Sequence, residues 1–150
     1  MERLEFSTQI DAPVEQVFDT MFGTDTYKQW TAVFNPTSDF EGSWEKDSKI
    51  MFTAINKEGK REGMIGTVKE YVPNRFVSVG YYGVLDGDKE VTDGDVVNGF
   101  ADSYENFSFD ASGNKANVTV EVDVEDAYKS YMLETYPKAL SRLKEICEKS

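Results

Sequence analysis

A helical pattern near the end of the chain constrains the fold more than any other feature. Between residues 135 and 148, apolar side chains recur at positions 136, 139, 140, 143, 146 and 147, which is the spacing of one helical face. Most of the preceding segments have the shorter period of strands, and the other helical pattern lies near the start. One long helix is therefore predicted to cover a large antiparallel sheet, an arrangement that often encloses a ligand cavity.

Length and charge narrow the function classes. The 150 residues suffice for a single domain, 1–150, with a substantial core. Sixteen Lys and Arg against 28 Asp and Glu leave a net charge of −12, which repels phosphate backbones and acidic lipid surfaces. A single cysteine and no apolar run near residue 1 indicate a cytoplasmic protein without membrane insertion. We expect no nucleic-acid partner; the oligomeric state stays open.

The chain contains no histidine, which removes the commonest general base and the usual imidazole metal ligand. No glycine-rich phosphate-binding string is present either. The acidic segment 86–95 has the wrong residues for an EF-hand, because Val91 and Val97 occupy the positions that need glycine and glutamate. We therefore predict no metal site and no cofactor. The excursion between Gly83 and Asp102 is predicted to be a mobile, solvated loop, whose motion could vary access to the cavity.

The order of the remaining patterns gives an outline of the fold. A strand at 3–10 precedes a helix that starts at Pro13 and ends at Gly23, and a short helix follows at 25–30. Strand patterns then occupy 42–45, 49–55, 63–71, 76–81, 105–109 and 118–124. Pro137 lies inside the last helical pattern, so a kink or a fresh helix start is expected near Tyr136. Cys147 is predicted to be a small core residue.

Several motifs give this order a family resemblance. They are IDAPVEQVF at 10–18, YKQW at 27–30, GSW at 42–44, GTVKE at 66–70 followed by Pro73, and YPKALSRLK at 136–144. With them the chain resembles START-like (SRPBCC) helix-grip proteins, and more narrowly the homologues of the activator of the heat-shock protein 90 ATPase. The resemblance implies an α+β fold in which a curved antiparallel sheet wraps around a long C-terminal helix, with two short helices after the first strand.

The resemblance also implies a function. Many single-domain relatives have a hydrophobic pocket between sheet and helix, sometimes for lipids, polyketides or aromatic molecules. The eukaryotic activators carry a separate N-terminal chaperone-binding domain, whereas this chain has room only for the helix-grip domain. Non-catalytic binding of a small hydrophobic, aromatic or lipid-like molecule is the expected function. Two alternatives stay open: a co-chaperone or protein-interaction module, and a cyclase-like or aromatase-like enzyme.

Strand parity predicts which side chains face the last helix. The predicted sheet face includes Ile50, Phe52, Val68, Tyr81, Phe107, Val120 and Val122, and its helix partners are Tyr128, Met132, Tyr136 and Leu140. Trp30, Phe34, Trp44 and Tyr104 are placed at the entrance. Glu105 shares the parity of Phe107, which would put a carboxylate with a raised pKa inside the cavity, as a general acid or base, or else leave it in water at a strand end.

The candidate ligand-binding residues are therefore a mixed aromatic and aliphatic set with one carboxylate. They are Trp30, Phe34, Trp44, Phe52, Val68, Tyr81, Glu105, Phe107, Tyr128, Met132 and Tyr136. Tyrosine offers an apolar ring with a hydroxyl, and methionine adapts to irregular shapes, so both suit a ligand site. The competing interpretation is that most of these residues are ordinary core. No catalytic residue is assigned.

Overall fold

In the computed structural model, which describes residues 1–149, one antiparallel sheet of eight strands carries four helices. In chain order the elements are β1 Glu2–Ile10, α1 Val14–Phe22, α2 Tyr27–Thr31, β2 Asp39–Gly42, β3 Lys49–Ile55, β4 Arg61–Val72, β5 Phe76–Asp86, β6 Lys89–Val91, α3 Asp95–Asn98, β7 Tyr104–Ser112, β8 Lys115–Val124 and α4 Asp126–Glu148. The sheet runs β1-β8-β7-β5-β4-β3-β2, and β6 extends β5. The predicted α+β helix-grip fold, a curved sheet around a long last helix, is confirmed.

The alternation of apolar residues explains why the strands bury one face. In β8, Val118 and Val120 are fully buried, whereas Thr119 between them is only partly buried. Strand β8 pairs with β1 so that Phe6 lies opposite Val120, and with β7 so that Phe107 lies opposite the same valine. The inward face of the sheet is thus continuous from β1 through β8 and β7 to β5.

The last helix buries mainly its second half. Its buried residues are Thr135, Tyr136, Ala139, Leu140, Leu143 and Cys147. The expected fresh start near Tyr136 is wrong, because α4 continues through Pro137 without interruption. Proline removes the hydrogen bond to the Leu133 carbonyl, and Leu133 is 48% exposed, so water is available to that carbonyl.

Two helices lie between β1 and the remaining strands in the chain, as predicted. Pro13 is the N-cap residue of α1, and the buried residues Val17, Phe18 and Met21 form its inward stripe. Helix α2 begins at Tyr27 rather than Asp25. Its Trp30 is buried and donates from Nε1 to the Met21 carbonyl at 3.0 Å, which ties α2 to α1.

Two local predictions are wrong. The strand expected at 42–45 instead ends at Gly42, whose φ of +109° and close approach to the Lys49 carbonyl require glycine, so Trp44 lies in a loop. The segment 83–102 is also more ordered than a solvated loop. Strand β5 continues to Asp86 and turns through Gly87 into β6, and Val97 of α3 is buried.

Among residues 1–149, none of the helices has the length and apolar character needed to cross a bilayer.

Candidate ligand site beneath the last helix

Glu105 brings a carboxylate to the inner side of the sheet. It is the second residue of β7 and lies between Val79 of β5 and Val122 of β8. The Tyr81 hydroxyl donates to Oε1 at 2.6 Å, and the Tyr136 hydroxyl donates to Oε2 at 2.5 Å. Each carboxylate oxygen therefore has its own tyrosine donor, one from the sheet and one from α4.

The surroundings of this carboxylate change its pKa. Burial raises the pKa of Glu105, and the hydrogen bonds from Tyr136 and Tyr81 oppose that rise because they stabilise the ionised form. Burial also raises the pKa of Tyr81 and of Tyr136 well above the usual range, and the negative charge of Glu105 adds to both shifts. Both hydroxyls are therefore neutral donors at any physiological pH.

Tyr27 of α2 lies close enough to Glu105 for the charge of that carboxylate to affect its hydroxyl. Burial raises the pKa of Tyr27, and the charge of Glu105 is the second-largest cause. In the sequence, Tyr27 is recognisable only as part of the YKQW motif in the predicted short helix. Its spacing of three from Trp30 placed it on the core side, but no sequence signal linked it to a carboxylate 78 positions away.

Four aromatic rings lie beside this polar group and form a closed set of contacts. Ring-centroid distances are 5.1 Å for Tyr27–Phe40, 5.5 Å for Phe40–Trp44, 5.5 Å for Trp44–Phe52 and 5.9 Å for Tyr27–Phe52. Phe52 also contacts Tyr81, with ring centroids 6.1 Å apart, so these rings adjoin one of the two tyrosines that donate to Glu105. We call Tyr27, Phe40, Trp44 and Phe52 the aromatic cluster.

One polar atom of the aromatic cluster has no partner. Trp44 is 9% exposed, and its indole Nε1–H is buried without a hydrogen-bond acceptor. Buried indole N–H groups usually find an acceptor, because leaving a buried donor unpaired costs about 1–3 kcal/mol. The donor is therefore available to an acceptor atom on a bound molecule.

The other predicted site residues fall into three groups. Val68 and Phe107 are fully packed core residues of the sheet face, and Trp30, expected at the entrance, is likewise buried in the core, where it holds α2 against α1. Phe34 packs edge-on against Tyr136 with centroids 5.3 Å apart, and Met132 is half-buried beside the core. Tyr128 does not line this interior, because it lies in the first turns of α4, before its buried half, and is 60% exposed.

Two open grooves lie elsewhere on the described residues. One groove of about 400 Å³ is lined by Val33, Pro137 and Arg142, and another of about 350 Å³ by Phe6, Pro137 and other residues of β1 and α4. Neither groove is lined by Glu105 or by the aromatic cluster.

Several charged side chains outside this interior form ion pairs at the surface. Arg3 donates to both carboxylate oxygens of Asp123, and this hydrogen bond holds the pKa of Asp123 below its usual range. Among residues 1–149, no group of three or more Cys, Asp or Glu is placed to hold a metal ion. Glu105, by contrast, is a carboxylate on the inner side of the sheet.

Comparison with known families agrees with this architecture. Residues 11–148 match the family model described as Activator of Hsp90 ATPase homolog 1-like protein. No curated protein sequence matches the chain.

Solved structures of similar shape extend over almost the whole chain. The Aha1 dimer from Colwellia psychrerythraea is 18% identical, with 99% of this chain and 97% of that chain covered and a TM-score of 0.71. Protein MLL2253 from Mesorhizobium loti is 12% identical, with coverages of 99% and 98% and a TM-score of 0.75. ChR145 from Cytophaga hutchinsonii is 15% identical, with coverages of 99% and 95% and a TM-score of 0.73. At these identities the similarity shows a common fold.

Proposed function

Because the chain belongs to the family of activator of Hsp90 ATPase homolog 1-like proteins, we propose that it uses the helix-grip fold to bind a small apolar or aromatic molecule between the sheet and α4. The proposed role is non-catalytic, in the cytoplasm, and needs no cofactor. The observation that carries it is the contact of Tyr81 and Tyr136 with opposite oxygens of Glu105. This polar group lies in an interior otherwise built from aromatic and aliphatic side chains.

The free-energy cost of burying the Glu105 carboxylate supports a role in recognition. Removing a carboxylate from water is unfavourable, and a packed apolar side chain of similar size would serve stability at least as well. A site that orients a small molecule needs a few polar groups within apolar walls, which is the composition found here. The unpaired indole N–H of Trp44 adds a donor at the adjoining aromatic cluster.

A cyclase-like or aromatase-like enzyme is a second candidate, favoured by the same convergence of polar groups. A carboxyl group with a raised pKa beside two neutral tyrosine hydroxyls is suited to general acid–base chemistry. Turnover of a polyketide-like substrate that disappears in Glu105→Gln would support this candidate over simple binding.

A co-chaperone role is the third candidate, favoured by exposed apolar side chains on the first half of α4. Tyr128, Tyr131 and Leu133 are 60%, 46% and 48% exposed. Stimulation of a chaperone ATPase by the purified chain, lost on replacement of these residues by Ser, would support it.

Native mass spectrometry of the purified protein tests ligand binding first, followed by a thermal-shift screen with fatty acids, sterols, flavonoids and polyketide-like aromatics. A ligand that binds the native state raises the melting temperature by mass action. Tyr81→Phe should weaken that shift, whereas Tyr82→Phe, on the opposite face of the same strand and 36% exposed, should leave it unchanged. Absence of any stabilising compound, or equal effects of the two variants, would count against the proposal.

A further inference from the structure

The charge of Glu105 is not balanced by a basic side chain. Its hydrogen-bond partners are the neutral hydroxyls of Tyr81 and Tyr136. No lysine or arginine contributes to the pKa shift of its carboxyl group. Within residues 1–149 the buried polar side chains are Thr31, Ser78, Ser103 and Thr135, none of which carries positive charge. The interior therefore holds a carboxyl group without an internal counter-ion.

The hydrogen bonds leave room for a further donor at the carboxylate. Two carboxylate oxygens offer about four acceptor positions, and the two tyrosines occupy one on each oxygen. Glu105 as a whole residue is half-buried. An ammonium group supplies both the missing positive charge and the additional donors.

The neighbouring rings favour the same kind of ligand. The faces of Trp and Tyr rings carry negative electrostatic potential and attract organic cations, most strongly where water is excluded. The aromatic cluster contains Trp44 and Tyr27, and Phe52 links it to Tyr81. The net charge of −12 adds a long-range field that draws cations toward the protein and repels organic acids.

We propose that this interior selects a protonated organic amine with an aromatic or apolar body, whose ammonium pairs with Glu105 while its body packs against the aromatic cluster. The proposal rests on the binding role proposed above and specifies its ligand class. This ligand class differs from that of a simple lipid carrier, since a fatty acid or other organic anion would place its own negative charge beside the Glu105 carboxylate, which has no counter-ion. Trp44 Nε1–H is then the donor for an acceptor atom on the ligand body.

Three probes with the same ring system test the ligand class: 2-(2-naphthyl)ethylamine, 2-(2-naphthyl)ethanol and 2-naphthylacetate. Isothermal titration calorimetry at neutral pH should show the amine binding about tenfold or more tightly than the alcohol, and the acid binding worst. Glu105→Gln should remove the preference for the amine and retain binding of the alcohol. Glu62→Gln, which removes the same charge at an exposed position of β4, should leave the preference unchanged.

The outcomes separate the two proposals. Binding of the alcohol or the acid without preference for the amine overturns the ligand class and leaves the binding role standing. An amine preference that survives Glu105→Gln also overturns it, because general surface charge then explains the selectivity. If none of the probes binds at about 1 mM, both proposals fail for this compound class.

Measurements on the unmodified protein keep the test independent of variant folding. In heteronuclear NMR spectra, the amine should shift the Trp44 indole N–H signal and give intermolecular cross-peaks to Phe52 and Tyr81. Shifts confined to exposed acidic residues would overturn the proposal, since the amine would then be a surface counter-ion.

Discussion

Replacement of Tyr136 by phenylalanine isolates one hydrogen bond of the site. The Tyr136 ring stacks on Phe6 with centroids 5.0 Å apart and packs edge-on against Phe34, and phenylalanine preserves both contacts. The variant loses only the hydroxyl that donates to Oε2 of Glu105. Hydrogen bonds to charged groups contribute about 1.5–3 kcal/mol, so the free energy of unfolding should fall by about that amount.

For a chain of this length, about 1 kcal/mol corresponds to roughly 2–4 °C in melting temperature. Tyr136→Phe should therefore melt roughly 3–12 °C lower, and urea titration followed by circular dichroism gives the free energy directly. In a Glu105→Gln background the same replacement should cost about 0.5–1.5 kcal/mol, because the remaining hydrogen bond is between neutral groups.

Tyr131→Phe is the matched control on the same helix. The Tyr131 hydroxyl donates to the Phe34 carbonyl at 3.1 Å, and its side chain is 46% exposed, so its loss should change stability by less than about 0.5 kcal/mol. Equal effects of Tyr136→Phe and Tyr131→Phe, or no coupling of Tyr136 to Glu105, would refute the assignment of a buried charge-assisted hydrogen bond.

Three further perturbations address pH dependence, sheet packing and the thiol. Burial raises the pKa of Glu105 above its unfolded value of about 4.3, so its stabilising contribution is complete below that pH and is lost as pH rises through the folded value. The unfolding free energy of the wild type relative to Glu105→Gln should therefore decline as the pH rises above the unfolded pKa, and a constant difference would contradict this. Gly63→Ala would place a Cβ 2.1 Å from the Phe52 carbonyl oxygen and should cost about 1–3 kcal/mol in urea titration, whereas Gly59→Asn, at a positive φ with open space, should cost less than about 0.5 kcal/mol. Cys147 is 1% exposed and burial raises its thiol pKa, so it should react with Ellman's reagent only after denaturant is added; prompt reaction in the native state would show that the end of α4 opens.

The sequence predicted most of the fold because most strands and helices show a local periodicity of apolar residues. The alternation of valines in β8 and the stripe of α1 depend only on which face is buried, and both appear in the structure. The prediction failed where a single residue, or a contact between residues far apart in the chain, decides the local structure. Gly42 ends β2 through a backbone conformation that no periodicity reveals, and the weakly patterned segment before β7 is ordered by burial of Val97 and Phe100.

For the candidate site too, the sequence predicted one part and the tertiary structure decided the other. Strand parity placed Tyr81 toward the interior and allowed the same position for Glu105, with a strand end in water as the alternative, and helical spacing placed Tyr136 on the buried side of the last helix. Which hydroxyl reaches which carboxylate oxygen depends on how β5, β7 and α4 pack, and that packing is set by contacts between residues far apart in the chain. Tyr27 comes within electrostatic range of the same carboxylate only because α2 folds over the sheet, and local sequence carries no information on that distance.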